Sequence, residues 1–405
     1  MSRRLAVIFL LTVFPLCLRG QNVVVEFLTA PDESLDPQYI FLSERNWTVS
    51  TYMDYVNVWM NMIMDVSYSE GGTPYDGRFI TDTDKVPYLE AGLTVTYGSL
   101  SLGWGTSVGK DKSTARTNSF QWLDSRMGVS FLYSKVNRPY TADIQMNNNG
   151  TWESVFGPSS SEFDAGLRSL AVDGYYALNG KRFTYLAAYD GCYIQRRSAG
   201  SAMIAAKFSQ EELKLDPRDI STIEDVLFNR GSYGAAGFSV GAGYSFNWVA
   251  LHREPENARS MKGLRNITLN ITAIPMLTLY NVVSTVENVY PDWNECAQDY
   301  ANRNNLTPPY EQPAFYYGVL DLYASKVKYK EPEKIRGGLV PSFISRAGVS
   351  FQYDRFFLNA NLDFGRFNMK TSTKEFEYQD GTVHTVRDRG VFSNLTGSLT
   401  LNYRF

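Results

Sequence analysis

Alternation with a period of two runs through most of this chain. In the closing stretch, 391–405, Phe405, Tyr403, Leu401, Leu399 and Leu395 hold one parity, and Arg404, Asn402, Thr400, Ser398, Thr396 and Asn394 hold the other. Successive strand side chains point to opposite faces, so the stretch predicts a strand with one apolar and one polar side. A soluble sandwich turns such an apolar side to its core. A membrane barrel turns it to lipid and lines its lumen with the polar side. Related patterns cover 47–68, 89–105, 118–135, 170–178, 233–248, 267–279 and 347–364. In the first of these the even positions from Val56 to Tyr68 are apolar, with Asn57, Asn61 and Asp65 opposite, although Trp59 and Ile63 share that side; the even face is expected on the lipid side.

Between 181 and 208 no good turn interrupts the pattern, and Phe183, Tyr185 and Tyr189 share a parity; one long, kinked strand is expected there. Asn179-Gly180 before it is a strong hairpin signal. The total is about twelve strands, an even number within the range of membrane barrels. The short turns, at 98–99, 179–180 and 354–355, follow even-numbered strands, and the long connectors mostly follow odd-numbered ones. The polar connector 249–264 is the exception. Short periplasmic turns, long outer loops and two periplasmic termini are the asymmetry of an outer-membrane barrel. The expected fold is all-β: a single antiparallel transmembrane β-barrel over 47–405, with long extracellular loops.

Composition changes this picture little. Gly 31, Tyr 27 and Phe 24 favour strands over helices. A mean hydropathy of -0.27 is compatible with a barrel, because only alternate residues meet lipid. The formal charge of -3 is scattered, which argues against a nucleic-acid partner. Residues 1–20 carry Arg3 and Arg4 ahead of the apolar run 5–13 and read as a secretory signal cut before Gln21. A lipoprotein cut at Cys17 is the alternative, although Leu16 is not the small residue that signal wants. Residues 21–46 read as a periplasmic lead-in without a clear element.

Lys181-Arg182-Phe183-Thr184-Tyr185 with Ala187-Ala188-Tyr189, followed by Gln195-Arg196-Arg197-Ser198-Ala199-Gly200-Ser201, resembles an uncharacterised family of outer-membrane barrels carrying a domain of unknown function. The resemblance implies a barrel and an outer-membrane address, and no activity.

Chemistry is sparse. Strand parity points Arg182, Asp190, Arg196, Arg346, Asp363 and Arg404 into the lumen, with Cys192, Glu90 and Asp173 beside them. Such a set serves either as a charged constriction or as an internal salt-bridge network. Cys192 on this reading lies near the outer rim, and Cys296 in the long outer loop 281–337, so a disulfide between them is possible. Tyr403 and Phe405 suit a C-terminal assembly signal read by the barrel-assembly machinery. Aromatics at strand ends (Tyr97, Trp104, Tyr193, Trp248, Tyr353) suit an interfacial girdle. The loop aromatics Trp152, Trp293, Tyr310, Tyr316 and Tyr317 suit either glycan binding or a packed loop. His252 and His384 lack a strand-borne serine partner for lipid hydrolysis, and no spacing suits a metal. The expected partners are outer-membrane lipid and the assembly machinery, with no cofactor and an unknown substrate. Two functions remain open: a pore or transporter for small polar solutes or lipids, and a structural or adhesive barrel with a shut lumen; a lipid-modifying outer-membrane hydrolase is the minor alternative, and no enzyme is expected.

Overall fold

The computed structural model describes residues 34–43, 47–70, 73–82, 87–109, 114–139, 141–148, 150–159, 164–189, 193–216, 233–257, 260–285, 288–289, 291–306, 308, 314–326, 328–329, 333–371, 373–377 and 383–405. The signal segment, Asp190, Cys192 and Tyr310 lie outside them.

Twelve strands close a ring. They are β1 (Trp47–Glu70), β2 (Tyr88–Tyr97), β3 (Leu100–Val108), β4 (Thr114–Leu123), β5 (Met127–Pro139) and β6 (Asp164–Ala177). Then come β7 (Ala199–Asp216), β8 (Tyr233–Arg253), β9 (Arg265–Thr285), β10 (Val340–Tyr353), β11 (Phe356–Lys370) and β12 (Val383–Arg404). Each pairs antiparallel with its successor. β12 then pairs β1 from Thr48↔Arg404 to Tyr68↔His384, so no edge is left open.

Burial is reversed relative to a soluble protein. Ile271, Tyr244, Trp248, Phe351, Leu362 and Leu399 are exposed on the outside, whereas Ser245, Asn247, Asn270, Thr272 and Asn359 inside are at most 1% exposed. A closed ring with an apolar exterior satisfies every ladder hydrogen bond while facing hydrocarbon, so this is a transmembrane barrel. Both barrel termini meet at the end with the short turns, where the Phe405 amide donates to the Trp47 carbonyl at 3.0 Å. Long connectors occupy the other end, which is the outer-membrane arrangement. The aromatic pairs Trp47–Tyr97, Phe356–Tyr403 (both 4.8 Å between centroids) and Tyr403–Phe405 (5.0 Å) ring the periplasmic interface.

Two strand expectations fail. In β1 the even face turns inward: Val56, Met60 and Met62 are buried in the lumen, and Trp47, Met53 and Tyr55 face out. The outer half of the lumen is itself apolar, so alternation alone did not identify the lipid side. Residues 181–208 are not one strand either. β7 starts at Ala199. Residues 178–189 and 193–198 leave the wall, with a 3-10 turn at Tyr185–Ala188 and a short strand at Tyr193–Gln195. Asn179-Gly180 therefore opens this excursion rather than a tight hairpin.

At the outer end, strands Thr73–Asp82, Thr141–Asn148 and Thr151–Ser159 extend the upper part of β1 into a projecting sheet. Helices α1 (Trp293–Arg303) and α2 (Ala314–Lys326) pack together around Cys296, Val319, Leu320 and Tyr323. Asp292 caps α1, its carboxylate accepting from the amides of Asn294 and Glu295 at 2.7 and 3.0 Å.

Candidate functional site: the barrel lumen

The described parts of the excursion, 178–189 and 193–198, fill the periplasmic half of the lumen. They are joined there by the lead-in, whose strand Ile40–Leu42 pairs antiparallel with Tyr193–Gln195. Phe183, Thr184, Ala187, Ala188, Ile194 and Gln195 are fully buried. Apolar contacts hold this plug against one side of the wall, where Phe183 packs with Met203, Ile274 and Met276.

The remaining plug contacts are polar and depend on amide side chains of the wall. Asn247 on β8 donates to the Thr184 carbonyl at 2.7 Å and to the Gln195 side-chain oxygen at 3.1 Å. Asn359 on β11 donates to the Tyr189 carbonyl at 2.6 Å, and the Tyr189 hydroxyl donates to Asn270 on β9. A side chain at Gly348 on β10 would stand 2.6 Å from the Tyr189 ring, so glycine makes room for it. Gln195 is the hub. The two hydrogens of its amide are shared among the carbonyls of Arg182, Arg197 and Tyr39 at 2.6, 2.9 and 3.2 Å, and its oxygen accepts from the Thr184 amide at 3.1 Å. It thus ties lead-in, excursion and wall together.

The six charges expected in one lumen cluster divide. Arg346 and Asp363 do face the lumen on adjacent strands and form a two-pronged ion pair, the Arg346 Nη2 to Asp363 Oδ2 arm at 3.2 Å. The Arg346 guanidinium also lies over the rings of Tyr189 and Tyr185, 4.6 and 5.7 Å from their centroids. Arg404 is buried near the periplasmic rim over Phe357, at 4.8 Å. Arg182 and Arg196 are not strand residues facing a pore, because their segment left the wall. They clamp the plug at the periplasmic face instead. Arg182 pairs with Asp36 at 3.2 Å, and Arg196 with Glu254 at 2.9 Å while also donating to the Pro37 carbonyl. Asp190 falls outside the described residues.

Of the expected Cys192–Cys296 pair, Cys192 lies outside the described residues. Its neighbour Tyr193 bonds Asp124 of a periplasmic turn at 2.6 Å. Cys296 is buried in the outer helix pair, with no disulfide partner among the described residues. Tyr193 itself, 2% exposed inside the plug, is no girdle residue.

Above the plug the lumen has two characters. Toward the outer end Met60, Tyr88, Ala115, Val136, Leu167 and Leu213 form one buried apolar cluster and Ala235, Val283 and Met369 another, with Phe392 packed against both. They make an inner collar contributed by most strands. Between collar and plug, the β1–β5 side is polar. Glu90 accepts from the Thr117 and Tyr52 hydroxyls at 2.7 and 3.3 Å, and Asp54 lies directly across from it on β1. Lumen-facing Leu132, paired with Ser119 nearer the periplasm, is 39% exposed. Lys207 pairs with Asp173 at 3.3 Å, as Arg346 does with Asp363. Among the described residues neither Asp54 nor Glu90 has a cation opposite it.

Sequence parity found Arg346, Asp363, Glu90 and Asp173, but not Gln195, Asn247, Asn270 or Asn359. The signal available for the last three was a run of asparagines on the polar parity of strands 8, 9 and 11, where Ser and Thr suffice to face water.

A family model described as a domain of unknown function, DUF4421, matches residues 36–254. Its limits coincide with Asp36 and Glu254, the two acids that the clamp arginines hold. Among curated proteins none matches the sequence. Among solved structures, the chain is similar to the outer-membrane protease OmpT from Escherichia coli, with 8% identity over 88% of this chain and 97% of that one, and a TM-score of 0.35. The translocator domain of the autotransporter NalP from Neisseria meningitidis shows 10% identity over 89% and 88%, with a TM-score of 0.27. The P. putida toluene transporter TodX shows 8% over 89% and 90%, with a TM-score of 0.23. Likenesses this slight carry no functional argument.

Proposed function

The chain belongs to the DUF4421 family, a domain whose description assigns no activity, and from its geometry we propose that it is a gated conduit for small polar solutes, shut at rest. The observation that carries this reading is the pair of lumen carboxylates Asp54 and Glu90, which face each other across β1 and β2 between the two closures with no cation opposite among the described residues. A barrel filled only for stability pairs its lumen charges, as Arg346 with Asp363 and Lys207 with Asp173 illustrate. Uncompensated carboxylates instead favour a passing cation over an anion. The amide-rich contact between plug and wall supports a plug that shifts, because water can replace those hydrogen bonds. The apolar collar supports a second, dewetting closure.

The test is ion selectivity in planar bilayers, read from the reversal potential under a salt gradient. Openings should favour cations in the unaltered protein and lose that preference in the Asp54→Asn, Glu90→Gln double variant. Openings equally selective in both would remove the carboxylates from the account. A folded barrel that never opens, even with both closures weakened, would support the structural reading instead.

A further inference from the structure

We infer that the outer rim of the barrel carries a binding site for a phosphate-bearing lipid headgroup, formed by Arg116 on β4, Lys135 on β5 and Arg168 on β6. These three residues are cross-strand partners in one unbroken row: Arg116 pairs with Lys135, and Lys135 with Arg168. Their direction follows from what lies behind them. The flanking residues of opposite parity, Ala115, Val136 and Leu167, are buried in the lumen collar, so the row faces outward. Its height follows from the same registers. One step toward the periplasm on the same face stand Asn118, Tyr133 and Leu170, and beyond them Phe120, Phe131 and Val172. Trp104 pairs with Asn118. The row therefore sits just above the apolar band, one step past Trp104 and Tyr133, which flank Asn118 on either side, at the level where outer-leaflet headgroups begin.

Like charges directly opposite each other destabilise a sheet, and here three adjacent strands place cations side by side. Internal compensation is slight. Arg168 has Glu212 on β7 at 3.5 Å, with the two side chains 42% and 39% exposed. Arg116 and Lys135 have no ion-pair partner among the described residues. Neighbouring strands lie about 4.8 Å apart, so long side chains from all three converge on one tetrahedral anion. Two guanidiniums and an ammonium suit phosphate oxygens. An anion held at this height next to an apolar band is a lipid phosphate, because the acyl chains of its own molecule lie against Tyr133, Leu170 and Val172. Basic sites beside membrane-facing apolar surface bind phosphorylated headgroups in the same way. This inference needs only that the barrel spans a membrane, and stands apart from the conduit reading.

Native mass spectrometry of the full barrel in neutral detergent tests it, with lipid A as the probe, chemically dephosphorylated lipid A as its match, and inorganic phosphate as competitor. Lipid A should bind at least tenfold more tightly than the dephosphorylated form. The Arg116→Gln, Lys135→Gln, Arg168→Gln triple variant should lose that difference, and the Arg116→Lys, Arg168→Lys variant should keep most of it. Heat-dependent gel mobility checks that each variant is folded. Should the triple variant fail to fold, Lys135→Gln alone is expected to weaken lipid A binding several-fold. Displacement of lipid A by equimolar inorganic phosphate would overturn the lipid assignment. Undiminished binding to the folded triple variant, or equal binding of the dephosphorylated form, would overturn the site.

Discussion

Replacing Gln195 with Ala should loosen the plug and leave the barrel standing. The side chain is fully buried and makes five contacts: three to the carbonyls of Tyr39, Arg182 and Arg197, one from the Thr184 amide and one from Asn247. Two of these groups keep another partner, since Tyr39 still accepts from the Arg196 amide at 2.7 Å and Asn247 still donates to Thr184 at 2.7 Å. The Thr184 amide and the carbonyls of Arg182 and Arg197 lose the bond they made to this side chain. A buried polar group deprived of its partner costs about 1–3 kcal/mol. Relaxation and entering water recover part of that, leaving roughly 3–4 kcal/mol, or about 10²–10³ in the opening equilibrium of the plug. Hydrogen exchange with mass spectrometry reads this locally: peptides from 36–43 and 181–195 should exchange faster by about that factor in detergent. Peptides from β9 to β11 should be unchanged. Unchanged exchange in the plug would refute the hub role of Gln195, and faster exchange throughout would show that the plug is part of the barrel's own stability.

Arg346→Gln leaves the half-buried Asp363 without its cation beside the plug, so the temperature at which the folded band is lost on a gel should fall, reflecting about 1–3 kcal/mol; adding Asp363→Asn should restore part of it. Deleting Phe405 should lower the amount of barrel in the outer membrane and leave precursor in the periplasm, measured by fractionation, if the terminal aromatics form the assembly signal. In the outer helix pair, hydrogen bonds from Lys326 and Arg303 hold the Asp299 carboxyl below its ordinary range. The stability these bridges contribute is present above the ordinary carboxylate value and is lost as pH falls through the depressed one. Exchange at 293–303 and 314–326, corrected for its intrinsic pH dependence, should therefore rise below about pH 4, and less so in Lys326→Gln.

The barrel was legible because membrane strands keep a strict parity wherever one face meets lipid. Phe405 back to Leu395 and Leu89 to Tyr97 show it with little noise, and the turns at 98–99 and 354–355 sort by side as an outer-membrane barrel requires. The plug was not legible for the same reason. Phe183, Tyr185 and Tyr189 keep an apparent strand period while folding inward, since a segment buried between wall and lead-in also needs apolar residues at close spacing. β1 misled in a related way: Val56, Met60 and Met62 are apolar because they build the collar, and parity cannot tell an apolar lumen from lipid. Arg346 and Asp363 were found because both lie in regular strands paired in register. Gln195 and the lumen asparagines were missed because their role depends on what the plug presents to them. The rim row was open to view in the sequence as Arg116, Lys135 and Arg168, but only the registers across β4, β5 and β6 bring the three together.

Single-channel recording tests the claim that the lumen is shut by its own plug and collar more directly than any other measurement. The unaltered protein in a planar bilayer should be silent at low voltage apart from brief openings. The Gln195→Ala, Phe392→Ala variant, weakened at the hub of the plug and at the collar residue shared by both apolar clusters, should show sustained, cation-preferring conductance. Steady full conductance from the unaltered protein at the outset, or silence from the folded double variant, would contradict the account.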